Sequence, residues 1–249
     1  MQAISTIDNV SSIGKSGGEA LPEHVESDID IYVFCDEIPD IGTRKTAVHS
    51  LGDAIETAEY NENAGCFWGT IDFVTIADTE ICLMYFTVAY MTHEIDSVLN
   101  GSRLEKEAGF FYPTGRCATM LSMHVFYEKT GYIAAMKERL SGYPPDLSKK
   151  LFDYHIHKAN DAESFQSAVS KADVLFYHEV LENALDHLLQ ALFALNKCFF
   201  PSRKRNATFI RIFKYKPDRC VERMLEVIEL GARPATLLQS YEKWKLLYD

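Results

Sequence analysis

The chain has 249 residues, 47% of them hydrophobic, 12% aromatic and 24% charged. That composition excludes whole-chain disorder and is enough for one large or two small cores. A net charge of −11 and a pI near 5.2 argue against non-specific binding to nucleic acid or anionic membrane.

The charge is unevenly spread. Residues 1–63 carry 13 Asp/Glu against 3 Lys/Arg, whereas residues 203–223 carry 8 Lys/Arg against 2 Asp/Glu. Six cysteines lie far apart with no C-x-x-C spacing, the pattern of reduced, buried thiols rather than a zinc site or disulfide framework. The start MQAISTIDNV has neither a basic nor an apolar leader segment, and ICLMYFTVAYM (81–91) is too short to span a bilayer. A soluble, cytoplasmic protein is therefore expected.

In chain order, IDIYVF (29–34) is predicted as a strand. Thr43 to Tyr60 has helical apolar spacing, and TIDFVTI (70–76) and EICLMYFTVAY (80–90) read as two more strands. His93 to Leu99 is predicted as a short helix that stops at Asn100-Gly101. From Pro113 the pattern becomes helical: residues 114–141, 147–157, a long stripe over 164–199, then 218–230 and 234–247. The expected fold class is α+β, with a mixed β-sheet and flanking helices over 1–110 and a helical bundle over 111–249.

The segment with most chemistry is SSIGKSGGEALPEHVESDIDIYVF (11–34). Asp28 and Asp30, two apart on a strand, point to one face while Ile29 and Ile31 enter the core. Adjacent carboxylates repel unless a cation lies between them, and Mg²⁺ favours a few carboxylate oxygens plus phosphate. Upstream, Gly14-Lys15-Ser16-Gly17-Gly18 reads as a turn whose backbone N–H groups can approach phosphate.

A Gly-Ser turn followed by S-D-I-D on the next strand resembles the nucleotidyltransferase superfamily related to DNA polymerase β. Within it the chain is most similar to the bacterial aminoglycoside- and lincosamide-type antibiotic nucleotidyltransferases and their uncharacterised relatives. LMYFT (83–87), GFFYPTGRCATML (109–121), Tyr143-Pro144 and ALFALNKCFFPSRKR (191–205) extend the resemblance over most of the chain.

The resemblance implies Mg²⁺-dependent transfer of a nucleoside monophosphate from ATP or another NTP to a hydroxyl of a small molecule, with pyrophosphate release. It implies that Asp28 and Asp30 hold the metal, and that the nucleotide is bound by Ser12, Gly14, Lys15, Ser16, Ser27 and Lys204. Two registers of the phosphate turn stay open, one centred on Ser12 and one on Ser16. The family's third carboxylate has Cys82 at its matching place, leaving Asp72 or no residue in that role. A catalytically attenuated nucleotide-binding relative, or transfer to a protein or RNA, are the alternatives.

Two other groups carry charge at helical spacing or in a run. Glu179, Glu182 and Asp186 share one face of the long helix, as a solvated stripe or an acceptor-side base. Arg203, Lys204, Arg205, Arg211, Lys214 and Lys216 form a basic segment that either pairs with acidic surface or meets phosphates.

Overall fold

The computed structural model describes residues 2–17, 28–61, 67–107 and 111–248. Backbone packing separates two compact units, Met1–Gly142 and Tyr143–Asp249. The change from strand to helix pattern near residue 110 falls inside the first unit.

That unit holds β1 (Val10–Lys15), β2 (Ile29–Cys35), β3 (Thr57–Tyr60), β4 (Thr70–Ile76), β5 (Thr79–Thr87) and β6 (His124–Glu128). They form one sheet in the order β3-β4-β5-β2-β1-β6. The central β2–β5 pairing is parallel and the others are antiparallel. With flanking helices and the helices of the second unit, this is the α+β architecture expected from the sequence.

Several elements differ from the sequence reading. Residues 10–15, read partly as a turn, form a buried strand because β2 and β6 pair with them on both sides. After the short helix α1 (Gln2–Ser5), the helix expected over 43–60 is α2 (Ile41–His49); Gly52, at φ 63°, then turns the chain into β3. Helix α3 (Val88–Leu99) begins earlier than expected because the Thr87 hydroxyl accepts from the Tyr90 N–H at 3.1 Å. It stops at Asn100, with Gly101 at φ 70°, as the sequence indicates. The helical stretch expected over 114–141 is α4 (Pro113–Ser122), strand β6 and α5 (Tyr132–Ser141).

Pleating gives the sheet two distinct faces. On one, Ile13, Ile31, Val33, Cys35, Leu83 and Tyr85 join Val48 and Val74 in a continuous apolar core. On the other lie Asp30, Tyr32, Phe34, Cys82 and Phe86, since paired residues in the β2–β5 ladder share a face.

The second unit comprises α6 (Pro145–Lys158), α7 (Ala162–Ser170), α8 (Val174–Leu195), α9 (Asn206–Ile212), α10 (Cys220–Gly231) and α11 (Leu237–Tyr248). The apolar stripe over 164–199 is two helices. Ala172 turns at φ 51°, and Asp173 caps α8 by accepting from the Phe176 N–H at 3.1 Å, a contact worth about 1 kcal/mol. Phe165 stacks on Tyr241 at 5.0 Å, and the Tyr177 hydroxyl donates to Ser240 at 2.7 Å, so α7, α8 and α11 share one core.

The described cysteines Cys35, Cys82, Cys117, Cys198 and Cys220 are free thiols. Cys66 lies outside the described residues. No described helix is long and apolar enough to cross a membrane.

Candidate functional site

Asp28, Asp30 and Cys82 converge where β2 and β5 run side by side. One ligand atom from each lies within 4.8 Å of the others. The parallel register puts Asp30 directly opposite Cys82, and Asp28, just before β2, brings its carboxylate to the same cluster. Asp28 is exposed, Asp30 half-buried and Cys82 buried, so the cluster opens toward solvent at one end.

Burial raises the Cys82 thiol to about 12, and the charges of Asp30, Asp28 and Glu80 push in the same direction. Cys82 is thus a neutral thiol at physiological pH, packed against two carboxylates.

Asp72 does not complete this cluster. It pairs with Leu83, and Leu83 with Ile31, which puts it on the apolar-core face; the β4 residue opposite Cys82 is Phe73. There Asp72 is fully buried and ion-paired with the equally buried Arg44 of α2. Of the alternatives read from the sequence, Cys82 occupies the third place and Asp72 is structural.

The register of the upstream segment is also visible. The backbone N–H of Ser16 donates to the Asp30 carbonyl at 3.0 Å, and its hydroxyl reaches the Asp30 carboxylate at 3.4 Å. Ser12 sits opposite Phe34, four strand residues from Asp30, or roughly 13 Å away along β2. Its hydroxyl donates to Glu128, whose other oxygen accepts the Ile133 N–H at 3.2 Å. Ser12 therefore ties β1 and β6 to the start of α5 and faces no open site.

Gly14 lies on the aspartate face, but a Cβ there would come within 2.4 Å of Met123 Cγ and Sδ. Its missing side chain makes room for buried Met123 rather than for a ligand. Lys15 pairs with Ile31, so alternation directs it to the opposite face, where it is buried. Ser27 lies outside the described residues. Of the six residues expected to hold nucleotide, Ser16 reaches the aspartate pair through its contact with Asp30.

Lys204 belongs to the second unit and is exposed in the turn before α9. Next to it, Arg203 donates from Nη1 to Glu182 at 2.5 Å and from Nε to Asp186 at 2.8 Å. Asp186 also accepts from Gln190 at 3.1 Å. The acidic stripe of α8 and part of the basic segment thus neutralise each other, which assigns Glu182 and Asp186 a structural role.

Comparison with known proteins adds little to this geometry. A family model described as a domain of unknown function (DUF4037) matches residues 112–205. No curated protein matches the chain. Among solved structures, a nucleotidyltransferase-like protein from Exiguobacterium sibiricum is 11% identical, with a TM-score of 0.49, covering 99% of this chain and 73% of that one.

Proposed function

We propose that the chain is a Mg²⁺-dependent nucleotidyltransferase that moves a nucleoside monophosphate from ATP or another NTP to a hydroxyl of a small molecule. The observation that carries this is the clustering of Asp28, just before β2, and Asp30, on β2, beside Cys82 within the S-D-I-D context. The donor set fits the ion: Mg²⁺ is commonly held by one or two carboxylates plus substrate phosphates and water.

When bound, the divalent ion supplies charge neutralisation at the reacting phosphate. Asp30 presents its carboxylate from β2, Asp28 from the residue just before that strand, and the Ser16 hydroxyl reaches the Asp30 carboxylate from the turn after β1. The apolar face behind them fixes β2 in place. An antibiotic of the aminoglycoside or lincosamide class is the acceptor suggested by the resemblance alone. Calorimetry with ATP and Mg²⁺, then pyrophosphate release across a panel of hydroxyl-bearing small molecules, tests the proposal. Absence of Mg²⁺-dependent nucleotide binding would overturn it.

Cys82 favours a second reading, an attenuated nucleotide-binding relative. A neutral thiol is a poor partner for a hard cation, and among the described residues no third carboxylate joins Asp28 and Asp30. Cys82→Asp should then tighten Mg²⁺ binding about 10-fold, on the scale of changes to metal-site shells, and raise turnover. Unchanged turnover in a Cys82→Asp variant that binds nucleotide would count against attenuation at this position.

A further inference from the structure

Helix α4 carries Arg116, a cation that the nucleotidyl-transfer reading does not use. It is only 2% exposed, and no described carboxylate pairs with it. Its guanidinium carbon lies 4.7 Å from the ring centre of Phe86, 4.9 Å from Phe111, 5.4 Å from Trp68 and 6.0 Å from Tyr32. Nη1 faces the Tyr32 hydroxyl at 3.4 Å. Nε and Nη2 are buried without a hydrogen-bond partner among the described residues.

Those two nitrogens are the pair that forms the side-on fork of an arginine, two parallel N–H groups spaced to match the oxygens of a carboxylate or phosphate. Aromatic faces attract the cation and hold its plane, but they accept no hydrogen bond from its edge. A buried guanidinium with an unused fork is costly unless an acceptor fills it. Tyr32 and Phe86 place the cage on the sheet face that also carries Asp30, with Tyr32 two residues, or roughly 7 Å, beyond it. Trp68 is 42% exposed and forms the outer wall of the cage, 5.4 Å from the guanidinium carbon.

We propose that Arg116 is an oxyanion anchor. Its Nε/Nη2 edge pairs in bidentate fashion with a phosphate or carboxylate group of a small ligand, while Tyr32, Phe86, Phe111 and Trp68 fix the guanidinium plane. The anchor does not depend on the metal reading, because neither Asp28 nor Asp30 takes part in it.

The test uses the full chain in EDTA at constant ionic strength, titrated with inorganic phosphate and, separately, with acetate. Tryptophan fluorescence and the thermal midpoint are followed together. Wild type should respond saturably to at least one of the two anions; the stronger response identifies phosphate or carboxylate as the group recognised. Arg116→Lys keeps the charge but loses the fork, and should weaken binding at least about 10-fold. Arg116→Met should abolish it, and Asp28→Asn should leave it intact. No saturable response in wild type to either anion would overturn the proposal. So would an unchanged response in Arg116→Lys, which carries the test even where Arg116→Met fails to fold. Retention of the response in EDTA together with loss of Mg²⁺-dependent nucleotide binding in Asp28→Asn separates this anchor from the metal pair.

Discussion

Asp30→Asn should abolish Mg²⁺-dependent nucleotide binding, with a fall in metal affinity of at least about 100-fold, beyond the usual effect of losing an outer-shell partner. The substitution keeps the shape of the side chain and removes one charge. Asp30 is the central member of the cluster, opposite Cys82, two residues from Asp28 and within reach of the Ser16 hydroxyl. With the neutral Cys82 thiol unable to compensate, exposed Asp28 is the one carboxylate of the cluster left among the described residues. Asp28→Asn should give the same loss from the other end of the pair.

Stability supplies a second readout. In the metal-free protein the two carboxylates repel each other, so Asp30→Asn should melt no lower than wild type in EDTA. Added Mg²⁺ with ATP should raise the midpoint of wild type and leave that of Asp30→Asn unmoved, because a ligand that binds only the folded state stabilises it. Equal Mg²⁺-dependent shifts in both proteins would remove Asp30 from the site.

The sequence showed the aspartate pair because period-two alternation alone predicts that Asp28 and Asp30 share a face. It could not show which strand runs beside them. Parallel pairing of β2 with β5 is a long-range choice, and it decides that Cys82, and not Asp72, faces Asp30. Ser16 and Gly17 do form a turn, but Gly14 and Lys15, read as its start, belong to a strand for a related reason. Ser11, Ser12 and Gly14 have weak strand propensity, yet β2 and β6 enclose that segment and make it β1. Likewise β3 and β6 are short, and each takes its strand form from a single neighbour, β4 or β1. Arg116 lay within the GFFYPTGRCATML segment of the resemblance, but its burial was not legible: an arginine inside an amphipathic helix reads as surface until the ring partners from β2, β5 and two loops are assembled around it.

The Arg44–Asp72 pair should dominate the stability of the first unit. Arg44 is 3% exposed and Asp72 is fully buried. Beyond the ion pair, Arg44 donates from Nε to the Pro39 carbonyl at 3.1 Å and lies 5.3 Å over the Tyr85 ring. Arg44→Met should cost about 3 to 5 kcal/mol, because it leaves a carboxylate buried without its counter-charge. Burial already raises the Asp72 pKa above its usual value, against the opposing pull of Arg44. A raised carboxylate favours folding at low pH, below its unfolded pKa, and loses that contribution as pH rises through the folded value. Removing Arg44 raises it further, so the deficit of Arg44→Met in urea unfolding should shrink as pH is lowered. The double variant Arg44→Met/Asp72→Leu should recover most of the lost stability, as apolar replacement of a whole buried pair commonly does. If Arg44→Met alone unfolds within about 1 kcal/mol of wild type at neutral pH, the pair is solvated and the placement of Asp72 in the apolar core is wrong.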